Sequence, residues 1–142
     1  MIRPCPSCGA NNRVPAAHLA DHGSCGKCKG ALPALDVPLD VSAAAFDDVV
    51  THAKVPVLVD FWAGWCAPCR MAAPHVKAVA DELKGRALVL KVDTEANPEL
   101  AARFGIRGIP HFVVLKDGRP VREQSGLSDA RTMAGWLRAA GA

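Results

Sequence analysis

The 142-residue chain contains six cysteines, which form three pairs with two residues between the paired sulfurs. The pairs are Cys5/Cys8, Cys25/Cys28 and Cys66/Cys69. In a small secreted protein this pattern would indicate a disulfide framework. The first residues contain no apolar segment typical of a secretory signal. We therefore interpret the pairs as metal-binding and redox sites in a cytoplasmic protein.

The third pair lies between an apolar run, Val57–Trp62, and a predicted long helix that begins at Cys66. A cysteine at a helix N-terminus faces the positive end of the helix dipole and unpaired backbone N–H groups, which stabilise its thiolate. The two intervening residues, Ala67 and Pro68, place Cys69 one turn into the helix and within reach of a disulfide. We expect Cys66 to attack a substrate disulfide and Cys69 to resolve the mixed disulfide.

Asp60 is the single acidic residue of the apolar run and precedes Cys66 by six positions. We expect it beneath the start of the helix, where burial would raise its pKa. There it would accept the proton of Cys69 through a water molecule. Lys91, on a neighbouring predicted strand, would hold its charge close to this acid. The alternatives are an Asp60 that faces solvent at the strand end and a Lys91 that belongs to the surface.

The other four cysteines have the spacing of a four-thiolate zinc site, Cys5-x2-Cys8-x16-Cys25-x2-Cys28. This part of the chain lacks sustained apolar periodicity. The binding energy of one zinc ion would compensate for the core that it cannot form alone. An iron–sulfur cluster and two structural disulfides are the alternatives.

The charge distribution bears on possible partners. The first 35 residues contain four Lys or Arg and one acid, whereas the remainder contains thirteen of each, so the net charge of +3 lies at the N-terminus. A basic segment is one mark of nucleic-acid binding. Four thiolates on one zinc ion would carry about −2 and leave a weak electrostatic footprint, so no nucleic-acid partner is expected. No apolar stretch approaches the ~20 residues of a membrane helix, so no membrane association is expected.

The larger part of the chain alternates predicted strands and helices. Strands are predicted over 35–41, 57–62, 87–92, 111–115 and 121–124, and helices over 42–52, 66–84, 97–104 and 128–140. Ser42, Asn97 and Ser128 are the predicted N-caps. This order predicts an α/β fold with a mixed central sheet flanked by helices. We divide the chain into a zinc-binding module, residues 1–34, and a redox domain, residues 35–142.

The segment from Val57 to Cys69, together with Gly105-Ile106-Arg107-Gly108-Ile109-Pro110, resembles the thioredoxin family over roughly residues 36–142. The resemblance implies a thioredoxin fold, a cis Ile109–Pro110 bond beside the disulfide, and Asp60 and Lys91 as the buried acid and its partner. A cis proline would expose the Ile109 backbone for strand-like pairing with a substrate segment. The implied substrate-binding rim consists of Trp65, Ala67, Pro68, Ile109, Pro110 and Gly126.

The N-terminal cysteine pairs and the segment Asn11-Asn12-Arg13-Val14-Pro15 are similar to the zinc-containing thioredoxin 2 branch of that family. In that branch the extension is regarded as structural, and as a possible oxidant sensor because oxidation of zinc thiolates releases the metal. The resemblance implies a monomeric protein-disulfide reductase. It would act on disulfide-bearing client proteins, be reduced by an NADPH-dependent thioredoxin reductase, and bind no nucleotide itself.

Two rival functions are weighed against this interpretation. A disulfide-forming oxidase would use the same chemistry but needs an oxidising compartment. A zinc-ribbon adaptor for nucleic acid or protein would leave the Cys66/Cys69 pair and Asp60 without a role.

Two residues depart from the family pattern. Ala67 replaces the usual glycine between the cysteines, and His111 replaces the usual threonine after the cis proline. Our hypothesis is that protonated His111 stabilises a thiolate and couples activity to pH in the range of about 6–7. The alternative is that His111 faces solvent at the start of its strand.

Overall fold

The apolar run Val57–Trp62 forms the central strand of the computed structural model, which describes residues 1–142. The elements are, in chain order, β1 (Ile2–Pro4), β2 (Asn11–Arg13), a 3-10 helix (Ala16–His18), β3 (Gly23–Ser24), β4 (Ala31–Leu32), β5 (Leu39–Asp40), α1 (Ala43–His52), β6 (Val57–Trp62), α2 (Ala67–Glu82), β7 (Leu88–Asp93), α3 (Pro98–Arg103), β8 (His111–Lys116), β9 (Arg119–Ser125) and α4 (Ala130–Ala139). None of these helices has the length and apolar character needed to cross a bilayer.

Strands β5 to β9 form one sheet in the order β5-β7-β6-β8-β9. The three strands on the β5 side are parallel, whereas β8 and β9 are antiparallel to their neighbours. Strands β1 and β2 form a separate antiparallel pair, and so do β3 and β4. The predicted α/β fold with a mixed central sheet and a small N-terminal module is confirmed.

Helices cover both faces of the sheet. Successive side chains of a strand point to opposite faces, so each strand contributes side chains to both helical layers. On one face, Phe61 of β6 packs in a buried cluster with Phe46 of α1. On the other face, Leu58 packs in a second cluster with Val76 of α2 and Leu137 of α4. The even-numbered residues of β6 therefore face α2.

The first strand of the sheet is shorter than the predicted one over 35–41, since β5 contains only Leu39 and Asp40. Pro38 has no backbone N–H to donate to a ladder. The backbone N–H of Leu35 instead donates to the carbonyl O of Leu19 at 2.9 Å, so the N-terminal segment takes the hydrogen bond that a longer strand would have used.

Ser42 and Asn97 are the N-cap residues of α1 and α3, as predicted, and only Ser42 caps its helix with a side-chain hydrogen bond. Ser42 accepts a hydrogen bond from the N–H of Ala45, as predicted. The predicted cap Ser128 is wrong, because the carboxylate of Asp129 accepts from the N–H of Thr132 at 2.8 Å and α4 begins one residue later. The side chain of Asn97 makes no cap, since its amide is turned back to the carbonyl of Asp93.

Candidate redox centre and metal site

The redox pair lies where α2 begins. Cys66 is the N-cap of α2, Cys69 is in its first turn, and the two form a disulfide with a Cα–Cα distance of 5.2 Å. The N–H of Cys69 donates to the Cys66 Sγ at 3.2 Å, so the helix directs a backbone donor at that sulfur. Pro68 occupies the first turn, where its missing N–H costs no intrahelical hydrogen bond. The arrangement allows a reversible exchange between a disulfide and two thiols.

Asp60 lies on the face of the sheet that α2 covers, and only 1% of its surface is exposed. Its Oδ1 has no hydrogen-bond partner. Burial raises the pKa of Asp60 to about 7, against a smaller opposing effect of Lys91. A buried carboxyl with this pKa exchanges its proton near neutral pH, which suits a proton acceptor.

Lys91 lies directly beside Asp60, because the two residues are partners in the parallel pairing of β6 with β7. Its ammonium is positioned over the ring of Trp62, 4.6 Å from the ring centroid. The sequence left open whether Lys91 lies close to the buried acid or belongs to the surface. In the structure Lys91 is half-buried, which is intermediate between the two.

The loop before β8 reaches the redox pair from the other side. The Ile109–Pro110 peptide bond is cis, as the resemblance implied. The carbonyl O of Ile109 lies 3.7 Å from the Cys66 Sγ. The N–H of Gly126 donates to the carbonyl O of Pro110 at 2.8 Å, so the end of β9 is tied to the same loop. The structure thus brings these rim residues together next to one sulfur.

The remaining predicted rim residues are exposed around the start of α2. Trp65 exposes 68% of its surface, and Ala67 and Pro68 are also exposed. The indole N–H of Trp65 donates to the Oε1 of Glu95 at 2.8 Å. This bond fixes one edge of a large apolar side chain while its face stays in solvent.

His111 is oriented differently from the hypothesis that links it to the thiolate. Its Nε2 lies 3.4 Å from the Oε1 of Glu123, and its ring centroid lies 6.4 Å from that of Phe61. Phe61 belongs to the face of the sheet opposite α2. The imidazole is therefore directed to a carboxylate on β9 and to the α1 side of the sheet.

The other four cysteines converge in the N-terminal module, where their Sγ atoms all lie within 4.8 Å of one another. Each pair spans a tight turn with the same hydrogen bonds. In the first turn, the N–H of Cys5 donates to the carbonyl O of Ala10, and the N–H of Gly9 donates to the carbonyl O of Cys5. In the second turn, the N–H of Cys25 donates to the carbonyl O of Gly30, and the N–H of Lys29 donates to the carbonyl O of Cys25. The residue after each second cysteine has a positive φ, at 75° for Gly9 and 62° for Lys29.

The geometry of the sulfurs fits a tetrahedral zinc ion. Four thiolates bound at about 2.3 Å would lie about 3.8 Å apart. The Sγ atoms of Cys5 and Cys28 are 3.6 Å apart, and those of Cys8 and Cys25 are 3.7 Å apart. Backbone N–H groups point at three of the sulfurs, from Ser7 and Cys8 to Cys5, from Lys27 to Cys25 and from Gly30 to Cys28. These donors favour thiolates over thiols.

Two further residues, Asn12 and Gly30, support the cysteine cluster. Asn12 connects the two turns, because its Oδ1 accepts from the N–H of Gly26 at 2.9 Å and its amide donates to Ala10. Gly30 is held close to a ligand, since a Cβ there would lie 3.2 Å from the Cys28 Sγ. Polar residues next to such cysteines are common, so only its contacts identify Asn12.

The module also contributes to the main core. Leu19, which follows the 3-10 helix, is fully buried in the same cluster as Phe61 and Phe46. Ala16 belongs to that cluster as well. The apolar residues of the first segment thus pack against α1 and the sheet.

Comparison with known proteins gives two family matches. A family model described as Thioredoxin matches residues 37–139, and one described as Thioredoxin 2, N-terminal matches residues 4–30. The second match contains all four cysteines of the metal site. Its family is a zinc ribbon, so the match and the sulfur geometry together indicate zinc binding.

Similar proteins occur in several organisms. Thioredoxin C-3 of Corynebacterium nephridii is 42% identical over 137 residues, which cover 96% of this chain and 93% of that protein. Thioredoxin 1 of Synechococcus elongatus is 42% identical over 103 residues, or 72% of this chain and 96% of that one. A solved structure of a mutant thioredoxin from Halobacterium salinarum is 36% identical with a TM-score of 0.70, and the match covers 75% of this chain and 93% of that one.

These similarities extend through the redox pair, the central sheet and the helices that hold them, and in one relative through almost the entire length. The chain belongs to the thioredoxin family of protein-disulfide oxidoreductases.

Proposed function

We propose that the chain reduces disulfides of client proteins, with Cys66 as the attacking thiolate and Cys69 as the resolving one. In the first step a Cys66–client bond forms, the client S–S bond breaks, and one client sulfur leaves as a thiolate that takes up a proton. In the second step Cys69 attacks the Cys66 Sγ and releases the other client sulfur. Two electrons pass to the client, and the chain is left as the Cys66–Cys69 disulfide. The observation that carries this proposal is that disulfide at the N-terminus of α2.

Asp60 is the proposed proton acceptor for Cys69 in the second step. Its burial, its unpartnered Oδ1 and a pKa raised to about 7 support this role. An acid with an ordinary pKa would be too weak a base to take a thiol proton at neutral pH. Lys91 is the proposed partner that stabilises the ionised carboxylate, and its position beside Asp60 in the sheet supports it.

The client segment is proposed to lie along the loop that contains Ile109 and Pro110. An extended client backbone would pair with the Ile109 backbone, and this pairing would bring the client cysteine to the Cys66 Sγ. Trp65 supplies an apolar surface at one side of this path, and Gly126 closes the other side without a side chain. The exposure of Trp65 and the short distance from Ile109 to Cys66 support the assignment.

The partner that restores the dithiol is proposed to be a thioredoxin reductase that takes its two electrons from NADPH. No nucleotide need bind to this chain, since the electrons arrive through disulfide exchange. We place the protein in the cytoplasm, because a four-thiolate metal site needs cysteines that remain reduced. The redox pair, its rim and Asp60 come from one chain, which supports a monomer as the active unit.

The N-terminal residues 1–34 are proposed to be a zinc module and residues 35–142 the redox domain. Cys5, Cys8, Cys25 and Cys28 would hold one zinc ion, which supplies no catalytic chemistry and cross-links the two turns. The contacts of Leu19 with the main core support a structural role. Sensing of oxidants through oxidation of the thiolates is the second proposed role, and two of the cysteines, Cys8 and Cys28, are exposed to them.

Insulin reduction tests the proposal, with dithiothreitol as the electron source and turbidity as the readout. We expect the wild-type chain to accelerate reduction, and Cys66→Ser to show only the rate of dithiothreitol alone. Cys69→Ser serves as the matched variant. It retains the attacking sulfur but lacks the resolving one, so the reduced variant, freed of dithiothreitol, should accumulate a mixed disulfide with the client that mass spectrometry detects.

Two outcomes would contradict the proposal. Turnover by Cys66→Ser would remove Cys66 from the first step. If the chain formed client disulfides faster than it reduced them in a glutathione mixture of cytosolic composition, the oxidase function would be favoured instead.

A further inference from the structure

A third charged residue belongs to the row that contains Asp60 and Lys91. Asp40 of β5 is the pairing partner of Lys91, just as Asp60 of β6 is its partner on the other side. Side chains of paired residues in parallel strands point to the same face of the sheet. The three strands therefore place Asp40, Lys91 and Asp60 side by side on the face that α2 covers, with one cation between two carboxylates.

The other groups around Asp60 carry little charge. On the far side, β8 supplies Phe112, which is its partner in the sheet. From α2 the nearest titratable groups along the chain are the redox sulfurs of Cys66 and Cys69. Asp93 lies two residues after Lys91 on β7, where its Oδ1 already accepts the N–H of Glu95 at 2.9 Å. Lys91 and Asp40 are thus the two charged residues that bear on Asp60.

The ammonium of Lys91 contacts an aromatic ring of the neighbouring strand β6. It lies over the Trp62 ring at 4.6 Å, in a groove whose lining also includes Asp40. Asp40 is exposed at the edge of the sheet, whereas Asp60 is buried. Lys91 therefore lies between an exposed aspartate on one neighbouring strand and a buried aspartate on the other.

We propose that Asp40 is a positioning residue for proton transfer: it competes with Asp60 for the charge of Lys91 and so makes Asp60 hold its proton more firmly until the resolving step. The inference rests on the proposed role of Asp60 as proton acceptor. Asp40 does not touch the client or the sulfurs, and it acts only through Lys91 and through its own negative charge.

The direction of the electrostatic effects agrees with the geometry. Burial raises the pKa of Asp60 most, Lys91 lowers it, and Asp40 raises it again. Neutralising Asp40 would therefore remove a like charge and leave Lys91 to a single carboxylate. The backbones of β5 and β6 are two strand spacings apart, or about 10 Å, and for charges at a separation of that order the expected fall in the pKa of Asp60 is about 0.5 to 1 unit at low salt.

The test compares Asp40→Asn with the wild type by carbon-13 NMR titration of the Asp60 carboxyl in the oxidised protein. We expect the titration midpoint to move to lower pH by the amount above and the difference to shrink at 1 M salt. Asp40→Glu should restore most of the shift, because it returns the charge. Asp36→Asn is the matched control, since it removes an equal charge from the segment just before β5 and should leave the midpoint unchanged.

Kinetics provide the second readout, from the rate at which the mixed disulfide is resolved as a function of pH. In Asp40→Asn the pH profile of this rate should shift in the same direction as the carboxyl titration. An unshifted midpoint in folded Asp40→Asn would overturn the inference, and so would an equal shift in Asp36→Asn. Failure of the proposed function is seen separately, as an unchanged resolving rate in Asp60→Asn.

Discussion

The indole N–H of Trp65 donates a hydrogen bond to the carboxylate of Glu95, 30 residues further along the chain. The loop after β7 thereby holds the large apolar residue next to Cys66. Glu95 makes this contact from an exposed position, so the bond is part of the surface that a client would meet. A client can then find the indole face already oriented.

Removing this contact should weaken client binding more than chemistry. In Glu95→Ala, Trp65 gains rotational freedom that must be lost again when a client binds. We expect KM for a protein disulfide to rise roughly 2- to 10-fold, which corresponds to about 0.5–1.5 kcal/mol for one hydrogen bond. Steady-state reduction of insulin measures KM and kcat separately. Glu99→Ala, an exposed glutamate without this contact, is the control, and equal effects of the two variants would contradict the prediction.

The buried Asp60 should make the stability of the protein depend on pH. Its pKa lies at about 7 in the fold and near 3.8 in the unfolded chain. The folded state therefore binds the proton more tightly, and the free energy of unfolding falls as the pH rises from about 4 through 7. A shift of this size corresponds to about 4 kcal/mol at most.

We expect Asp60→Asn to remove this dependence, because an amide does not ionise. The variant should be more stable than the wild type at pH 8, and the difference should shrink towards pH 4. Guanidinium unfolding of the oxidised proteins at a series of pH values measures it. Asp81→Asn, at an exposed position of α2, should keep the wild-type profile. If the free energy of unfolding depended on pH in the same way in the wild type and in Asp60→Asn, Asp60 would not be the group that causes the dependence.

Zinc should be bound by the four cysteines and by no histidine of the same module. We expect one zinc per chain by elemental analysis, and loss of that zinc in Cys8→Ser. His18→Ala should retain the metal, because His18 is engaged by the Asp21 carboxylate at 2.8 Å and lies outside the sulfur cluster. A zinc content that falls in His18→Ala, or that survives in Cys8→Ser, would mean a different ligand set.

Gly30 should be required for full zinc affinity. A Cβ at this position would approach the Cys28 Sγ to 3.2 Å, and a sulfur fixed on a metal has little freedom to retreat. Gly30→Ala should therefore release zinc to a chelator faster than the wild type. Gly23→Ala is a suitable comparison, since a Cβ there meets no atom within 4 Å. Competition with a chromophoric chelator measures both variants, and indistinguishable release would refute the steric argument.

Much of the fold follows from patterns that act over short distances. The apolar run at Val57–Trp62 and the cap at Ser42 both occur where they were predicted, and the turn at Asp117 and Gly118 connects the antiparallel strands β8 and β9. The turn has positive φ at both central residues, 52° and 76°, which suits an aspartate followed by glycine. Such signals depend on a few neighbouring residues, so a sequence contains them directly.

The errors arise where distant segments compete. The N–H of Leu35 bonds to Leu19 instead of extending β5, and no local pattern indicates that partner. At α4, Ser128 and Asp129 are adjacent, and both residue types suit an N-cap. Only the folded path of the chain determines that Asp129 is the cap. Such choices depend on tertiary packing, which overrides local preference.

The sequence predicts the cysteines of the site, but not all of the residues around them. The spacing of the cysteines determines which atoms meet, whereas Asp40 and Glu95 become relevant only through strand register and loop position. Register between strands that are far apart in sequence cannot be read from either strand alone. In the sequence, nothing distinguishes Asp40 and Glu95 from other surface carboxylates.

The burial of Leu19 in the same cluster as Phe46 and Phe61 has a consequence for the lifetime of the protein. A ligand that binds only the folded form protects every element that unfolds together with its site. Zinc held by the first turns would therefore also protect the sheet against proteases. Under metal starvation, the amount of reductase would then decline through faster degradation, although no catalytic group had changed.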